Sequence, residues 1–193
     1  MIKIERVKRK TISISIDALG EVKVKAPTFL SDNDIEKFIN SKRKWIDKIL
    51  SRMRLILSEN SKILSKEEVY YLGKIVNYSE DFIKTIKHNA NVYLPARIKM
   101  LADKFNFKIG EVHVKDYKSR WGTCYKNKNV TLNYKLMMLD VKIIDYVILH
   151  ELCHTVYFDH QKKFHSLLSS LIKNEKEIKR SLKEKSFLLK IKY

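Results

Sequence analysis

The chain has 193 residues, 45% of them hydrophobic and 32% charged, a balance that fills a real core under a solvated surface and excludes a disordered chain. Forty Lys and Arg against 22 Asp and Glu give a net charge of +18, which excludes an acidic tail protein or a calcium cage; it permits anionic partners, while solvated lysine-rich faces are the expected reading. With only two cysteines, Cys124 and Cys153, a disulfide scaffold is excluded as well, and free thiols in a reducing cytoplasm are expected.

The first ten residues, MIKIERVKRK, are too charged for a signal peptide, and no run reaches the roughly 18 apolar residues of a membrane span. A cytoplasmic protein without membrane contact is therefore expected. Ile12, Ile14 and Ile16 alternate up to a turn at Gly20, and Val22 and Val24 continue the alternation before Pro27, which predicts a strand hairpin. From Ser31 the spacing becomes helical through Ile35, Phe38, Ile39, Trp45, Ile46, Ile49 and Leu50, with a break near Asn40 and Ser41. Residues 68–84 read as short β pieces around Gly73, and residues 91–106 as a helix. Val112 and Val114, with Val130, Leu132 and Tyr134, alternate as two strands, and KNKN at 126–129 supplies turn residues, so an antiparallel hairpin of these two strands is expected.

Residues 141–155 form the most apolar helix, another covers 164–171, and the last 22 residues read as a basic helix with a frayed end. The fold class is α+β. An N-terminal β-rich subdomain with a helix is expected over 1–90, a core of antiparallel hairpin and apolar helix over 91–175, and a basic tail over 176–193.

The chemistry concentrates in HELCH, residues 150–154. His150 and His154 lie four apart, on one helical face, so their imidazoles can converge on one ion while Glu151, about 100° round the helix, reaches toward a water. At this composition the pattern is expected by chance about 0.01 times. Ile143, Ile144, Val147, Ile148, Leu149 and Leu152 surround these groups, and burying them unpaired would cost several kcal/mol, which metal binding would reverse. A catalytic zinc takes three protein ligands. His160 is the natural third, provided the helix ends near Val156 or Tyr157 and the chain turns back, and His165 competes with it. Tyr157 stands where metzincins need glycine, which argues against that group.

SRWGTC at 119–124, LNYKL at 132–136, DYVILHELCH at 145–154 and the DHxxxF segment at 159–164 together resemble the YgjP-like metal-dependent hydrolases, a zincin-type group related to the WLM and SprT-like metallopeptidases. The segment from Arg6 to Ile16, Trp45 with Ile46, and LPARI at 94–98 extend the likeness over most of the chain. The resemblance implies one metal held by His150, His154 and His160, with Glu151 as the catalytic carboxylate. Asp159 and His165 depart from the asparagine and tryptophan common in that family.

A zinc-dependent hydrolase is thus expected, with one Zn2+ per chain and Glu151 as base and then acid, acting on peptides. The alternatives are hydrolysis of a nucleotide or other small phosphorylated substrate, and a nucleic-acid-associated protein with a structural metal. Arg120 is the candidate second donor to the substrate oxyanion, or else a surface residue stacked on Trp121. Trp121 and Gly122 read as structural, an aromatic lid and a site of close approach. Asp145 either orients a ligand imidazole or serves as a helix-start carboxylate; Cys153 reads as a buried thiol, and Cys124 as a weak metal candidate. Gln161 to Tyr193 carries ten basic and three acidic residues, a solvated face that also permits weak, salt-sensitive nucleic-acid contact.

Overall fold

A computed structural model describes residues 2–193. The chain divides into two compact units, one ending at Ser61 and the other running from Lys62 to Tyr193. Residue 90, where a boundary was expected, lies inside a continuous helix of the second unit.

In the first unit, β1 (Ile2–Val7) pairs in parallel with β3 (Val22–Pro27), which also pairs antiparallel with β2 (Ser13–Ile16). The β2–β3 hairpin closes where Asp17 Oδ1 accepts the N–H groups of Leu19 and Glu21, both at 3.0 Å, and Gly20 takes φ +87°. Helix α1 (Asp32–Ser41) is capped by Ser31, whose Oγ accepts the Asp34 N–H at 3.1 Å, and breaks before α2 (Arg43–Glu59). Val22, Val24 and Ala26 from the sheet bury against Ile35, Ile39 and Ile46, one stripe of the two helices. Trp45, expected in the apolar spacing of these helices, is 46% exposed.

The short α3 (Ser61–Leu64) leads into the second unit, where β4 (Glu68–Tyr71) and β5 (Lys74–Asn77) form a hairpin over Leu72 and Gly73. Helix α4 (Glu80–Lys104) follows, eleven residues longer at its start than the apolar spacing of 91–106 suggests. Ser79 caps it by accepting the Phe82 N–H at 3.1 Å, and Glu80 and Asp81 complement its positive end.

The sheet that carries the site has the order β6-β8-β7, with β6 (Val112–Lys115), β7 (Gly122–Cys124) and β8 (Val130–Asn133). The expected hairpin is corrected in its partner. Strand β6 lies parallel to β8, and the antiparallel mate across KNKN is the three-residue β7. The turn closes through Tyr125 N–H to Asn129 O at 2.9 Å and Lys128 N–H to Tyr125 O at 2.8 Å, which leaves room only for the adjacent strand. All four residues of β8 are buried, as befits a central strand. A 3-10 turn over Tyr134–Met138 then leads into α5 (Val141–His154), α6 (Lys162–Leu171) and α7 (Glu175–Glu184).

The C-terminal end is packed rather than frayed. A 3-10 turn over Lys185–Lys190 buries Phe187, Leu188 and Leu189, and Ile191 is buried beyond it. Lys135, itself 1% exposed, donates from Nζ to the carbonyls of Ile191 at 2.7 Å and Leu189 at 3.4 Å, with Asp116 at 3.4 Å. Among the described residues no helix is long and apolar enough to cross a membrane.

Candidate metal centre

Helix α5 ends at His154, and the Cys153 carbonyl accepts the N–H groups of both Val156 and Tyr157 just beyond it. Asp159 Oδ1 then accepts the Gln161 N–H at 3.2 Å, shaping the reversal that swings residue 160 back over the helix. The result is a cluster of three imidazoles. Nε2 of His160 stands 3.1 Å from Nε2 of His154 and 3.1 Å from Nε2 of His150. His165, on the exposed side of α6, stays outside the cluster.

His154 donates its Nδ1 hydrogen to the Tyr157 carbonyl at 3.0 Å, which leaves a lone pair on Nε2 facing its neighbours. Phe164, fully buried, packs its ring against all three imidazoles, with centroids 4.6 to 4.9 Å away. Burial, and then the neighbouring imidazoles, lower the pKa of His150 to about 3; burial also lowers that of His154. Both rings are therefore neutral at pH 7, the state in which imidazole binds metal.

These residues fit a metal ion. One ring hydrogen on His160 Nε2 can serve only one of its two 3.1 Å contacts, so the bare cluster is under-satisfied, whereas a cation at its centre engages three lone pairs. Nitrogens bound about 2.0–2.1 Å from a tetrahedral ion stand about 3.3 Å apart, close to the spacing of these atoms.

Glu151, 6% exposed, lines the same cleft as His150. Burial raises its carboxyl pKa to about 7, against the opposing pull of the Arg120 charge and the Cys124 backbone N–H. Gly122 of β7 makes this position possible, since a Cβ there would stand 2.8 Å from Glu151 Cγ and 2.9 Å from Oε1. The strand thus lies directly against the carboxylate. Just before it, the side chain of fully buried Asn133 donates to the carbonyls of Tyr117 at 2.8 Å and Arg120 at 3.0 Å, while its own N–H donates to Trp121 O at 2.8 Å. One asparagine on β8 holds the whole approach to β7.

A family model described as YgjP-like, metallopeptidase domain, matches residues 10–81 and 76–185. The chain belongs to the YgjP-like family. No curated protein and no solved structure gives a significant match to this YgjP-like chain. Membership supports a metal-dependent peptidase in general and implies a divalent metal, and His150, His154 and His160 are a group among the described residues whose ring nitrogens come close enough together to hold one.

Other expectations for the YgjP-like site are redirected. Arg120 is exposed and places its guanidinium 5.7 Å over the Tyr117 ring, not on Trp121. Asp145 neither orients a ligand imidazole nor caps the helix. It makes a two-pronged pair with Arg97 of α4, Nε to Oδ1 at 2.7 Å and a terminal guanidinium nitrogen to Oδ2 at 2.6 Å. Cys124 is half-buried and Cys153 buried, with burial raising their thiol pKa values to about 11 and about 12; neither joins the histidines. Phe164 and Asn133 were present in the quoted motifs, yet no periodicity assigned them a task. A larger cleft of about 1040 Å3 runs along α4 and α5, but none of the three histidines lines it, whereas the cleft of about 440 Å3 beside it carries both His150 and Glu151.

Proposed function

We propose that the protein is a zinc-dependent peptidase in which His150, His154 and His160 would hold the ion through Nε2 and Glu151 moves the proton. The observation that carries this reading is the convergence of three imidazole Nε2 atoms beside a buried carboxylate in one cleft. Three protein donors and an exposed His160 support an open, catalytic coordination over a closed structural one, which takes four. When bound, zinc supplies a Lewis acid that polarises the scissile carbonyl and acidifies water.

Glu151 accepts a proton from the attacking water at its carboxylate and delivers it to the amine nitrogen as the C–N bond breaks. Burial, which raises this carboxyl above the ordinary carboxylate value, favours its taking up a proton and passing it on. Arg120, whose charge reaches the Glu151 carboxylate, is the proposed second donor to the substrate oxyanion. Two free, protonated thiols support a cytoplasmic setting.

The test is metal analysis combined with hydrolysis of casein peptides and nucleoside triphosphates by wild type and Glu151→Gln. We expect about one zinc per chain in both proteins, peptide cleavage by wild type, and a loss of at least about 10²-fold in the variant. A fully active variant overturns the mechanism, and metal-dependent cleavage of triphosphates alone overturns the substrate class.

A further inference from the structure

The cleft of about 440 Å3 beside Glu151 has a composition that the proton-transfer machinery does not use. Its walls are Trp121 ahead of β7, Tyr146 and Val147 one turn before His150, Leu182 of α7, and Leu189 of the packed C-terminal turn. Tyr146, Val147 and Leu189 are each buried to 5% exposure or less, so the walls are fixed by the core rather than by loose loops. A space of this size, lined chiefly by apolar and aromatic groups, takes one large side chain of a ligand.

Charge along its edge is one-sided. Lys179 and Lys183, four residues apart on α7, both line the cleft, and Glu151 is the one carboxylate that lines it with them. Neither lysine forms an ion pair among the described residues. Like charges at this spacing repel along a helix, and a bound anion relieves the repulsion. None of the three acids of α7 lines the cleft: Glu177 lines the other cleft, Glu175 accepts from Ser169 Oγ at 2.6 Å, and Glu184 stays outside the lining.

We infer that this cleft selects peptides carrying a large apolar side chain next to a carboxylate, with Trp121, Tyr146 and Leu182 receiving the side chain and Lys179 and Lys183 the carboxylate. This rests on the peptidase reading. The carboxylate is either the free C-terminus of the substrate or a neighbouring Asp or Glu. Trp121 and Tyr146 act here as specificity residues, and the two ammonium groups tether the ligand in reach of Glu151.

The experiment uses the zinc-loaded Glu151→Gln chain, so that peptides persist, in a Trp45→Phe background that leaves Trp121 as the one tryptophan reporter. Its fluorescence is titrated with acetyl-Ala-Ala-Phe as free acid, the same peptide as amide, acetyl-Ala-Ala-Phe-Asp-amide, acetyl-Ala-Ala-Ala as free acid, and ATP. At least one Phe peptide with a carboxylate binds about tenfold tighter than both the Phe amide and the Ala acid, the gain expected of two exposed ion pairs. Which of the two carboxylate peptides binds tells the C-terminal from the side-chain source. Lys179→Gln with Lys183→Gln abolishes the carboxylate preference and keeps the preference for Phe over Ala. Binding of neither carboxylate peptide more tightly than the Phe amide, an undiminished preference in the lysine variant, or tighter binding of ATP than of every peptide overturns the assignment. Casein hydrolysis by wild type reports on the peptidase reading separately: cleavage without this selectivity sinks the cleft alone, and absence of cleavage sinks the enzyme while the titration still reads the cleft.

Discussion

At the scale of single residues, Glu151 and Gly122 form a matched pair. Gly122 reads in sequence only as a place where something comes close, and the structure identifies that something as the carboxylate itself. Gly122→Ala forces Glu151 to move, because the new Cβ would sit 2.8 to 3.0 Å from three of its atoms. The expected result is a loss of about 10²-fold in peptide hydrolysis with zinc content unchanged, measured by turnover and metal analysis on the same sample.

Glu151 also sets a pH signature on the metal-free protein. Its folded pKa of about 7 lies above the ordinary carboxyl value of 4.5, so its contribution to stability is fully present below pH 4.5 and is lost as pH rises through 7. Glu151→Gln removes that loss. In chelator-treated protein the variant is therefore expected to gain on wild type between pH 4.5 and 7, by about 3 kcal/mol at most, in denaturant titrations. His150 acts in the opposite sense. Its folded pKa of about 3 lies below 6.5, so its contribution is present above pH 6.5 and is lost as pH falls toward 3, and acid unfolding begins as the ring is asked to charge.

Among the elements, α5 and α6 divide the work. Helix α5 supplies two of the three clustered imidazoles by its own geometry, since residues four apart share a face. The third imidazole depends on α6 and on the turn before it, and Phe164 is the contact that registers one helix on the other. Phe164→Ala opens a cavity under all three imidazoles. The expected cost is about 3–5 kcal/mol in thermal or denaturant unfolding, with a weaker zinc affinity in chelator competition; Phe164→Leu recovers much of both. An unchanged affinity in a folded Phe164→Ala protein would show that the histidines hold their arrangement without it.

The β elements were harder to read, and β6 illustrates why. Alternation at Val112, Val114, Val130 and Leu132 identifies two strands, but period two is the same for parallel and antiparallel partners. Only the three-residue β7, too short to alternate visibly, decides which strand takes the hairpin position. Asp145 was ambiguous for a similar reason: its partner, Arg97, lies 48 residues earlier, beyond any local pattern.

Over the whole molecule, the basic C-terminal segment serves two ends. Its lysines are solvated, as the charge pattern indicates, while Phe187, Leu188, Leu189 and Ile191 are buried and Lys135 caps the segment's carbonyls. Removing residues 186–193 exposes the surfaces that these side chains cover and strands a buried ammonium group, whose pKa burial already lowers. Each buried side chain contributes roughly 1.5–3 kcal/mol, so the truncated chain is expected to lose its cooperative thermal transition. A truncated protein that melts like wild type would return the segment to the status of a tail.

By itself the amino-acid order determined the α+β class, the helix that presents His150, Glu151 and His154, and the need for a third ligand after a turn, because helical periodicity and burial cost act between neighbours along the chain. Tertiary structure decided which surroundings those groups meet: Gly122 against Glu151, Phe164 beneath the three rings, Arg97 on Asp145, β7 beside β8, and the C-terminal turn closing the cleft. Those are contacts between segments far apart in sequence, and they rest on shape and hydrogen-bond satisfaction in three dimensions, which leave no repeating trace in one.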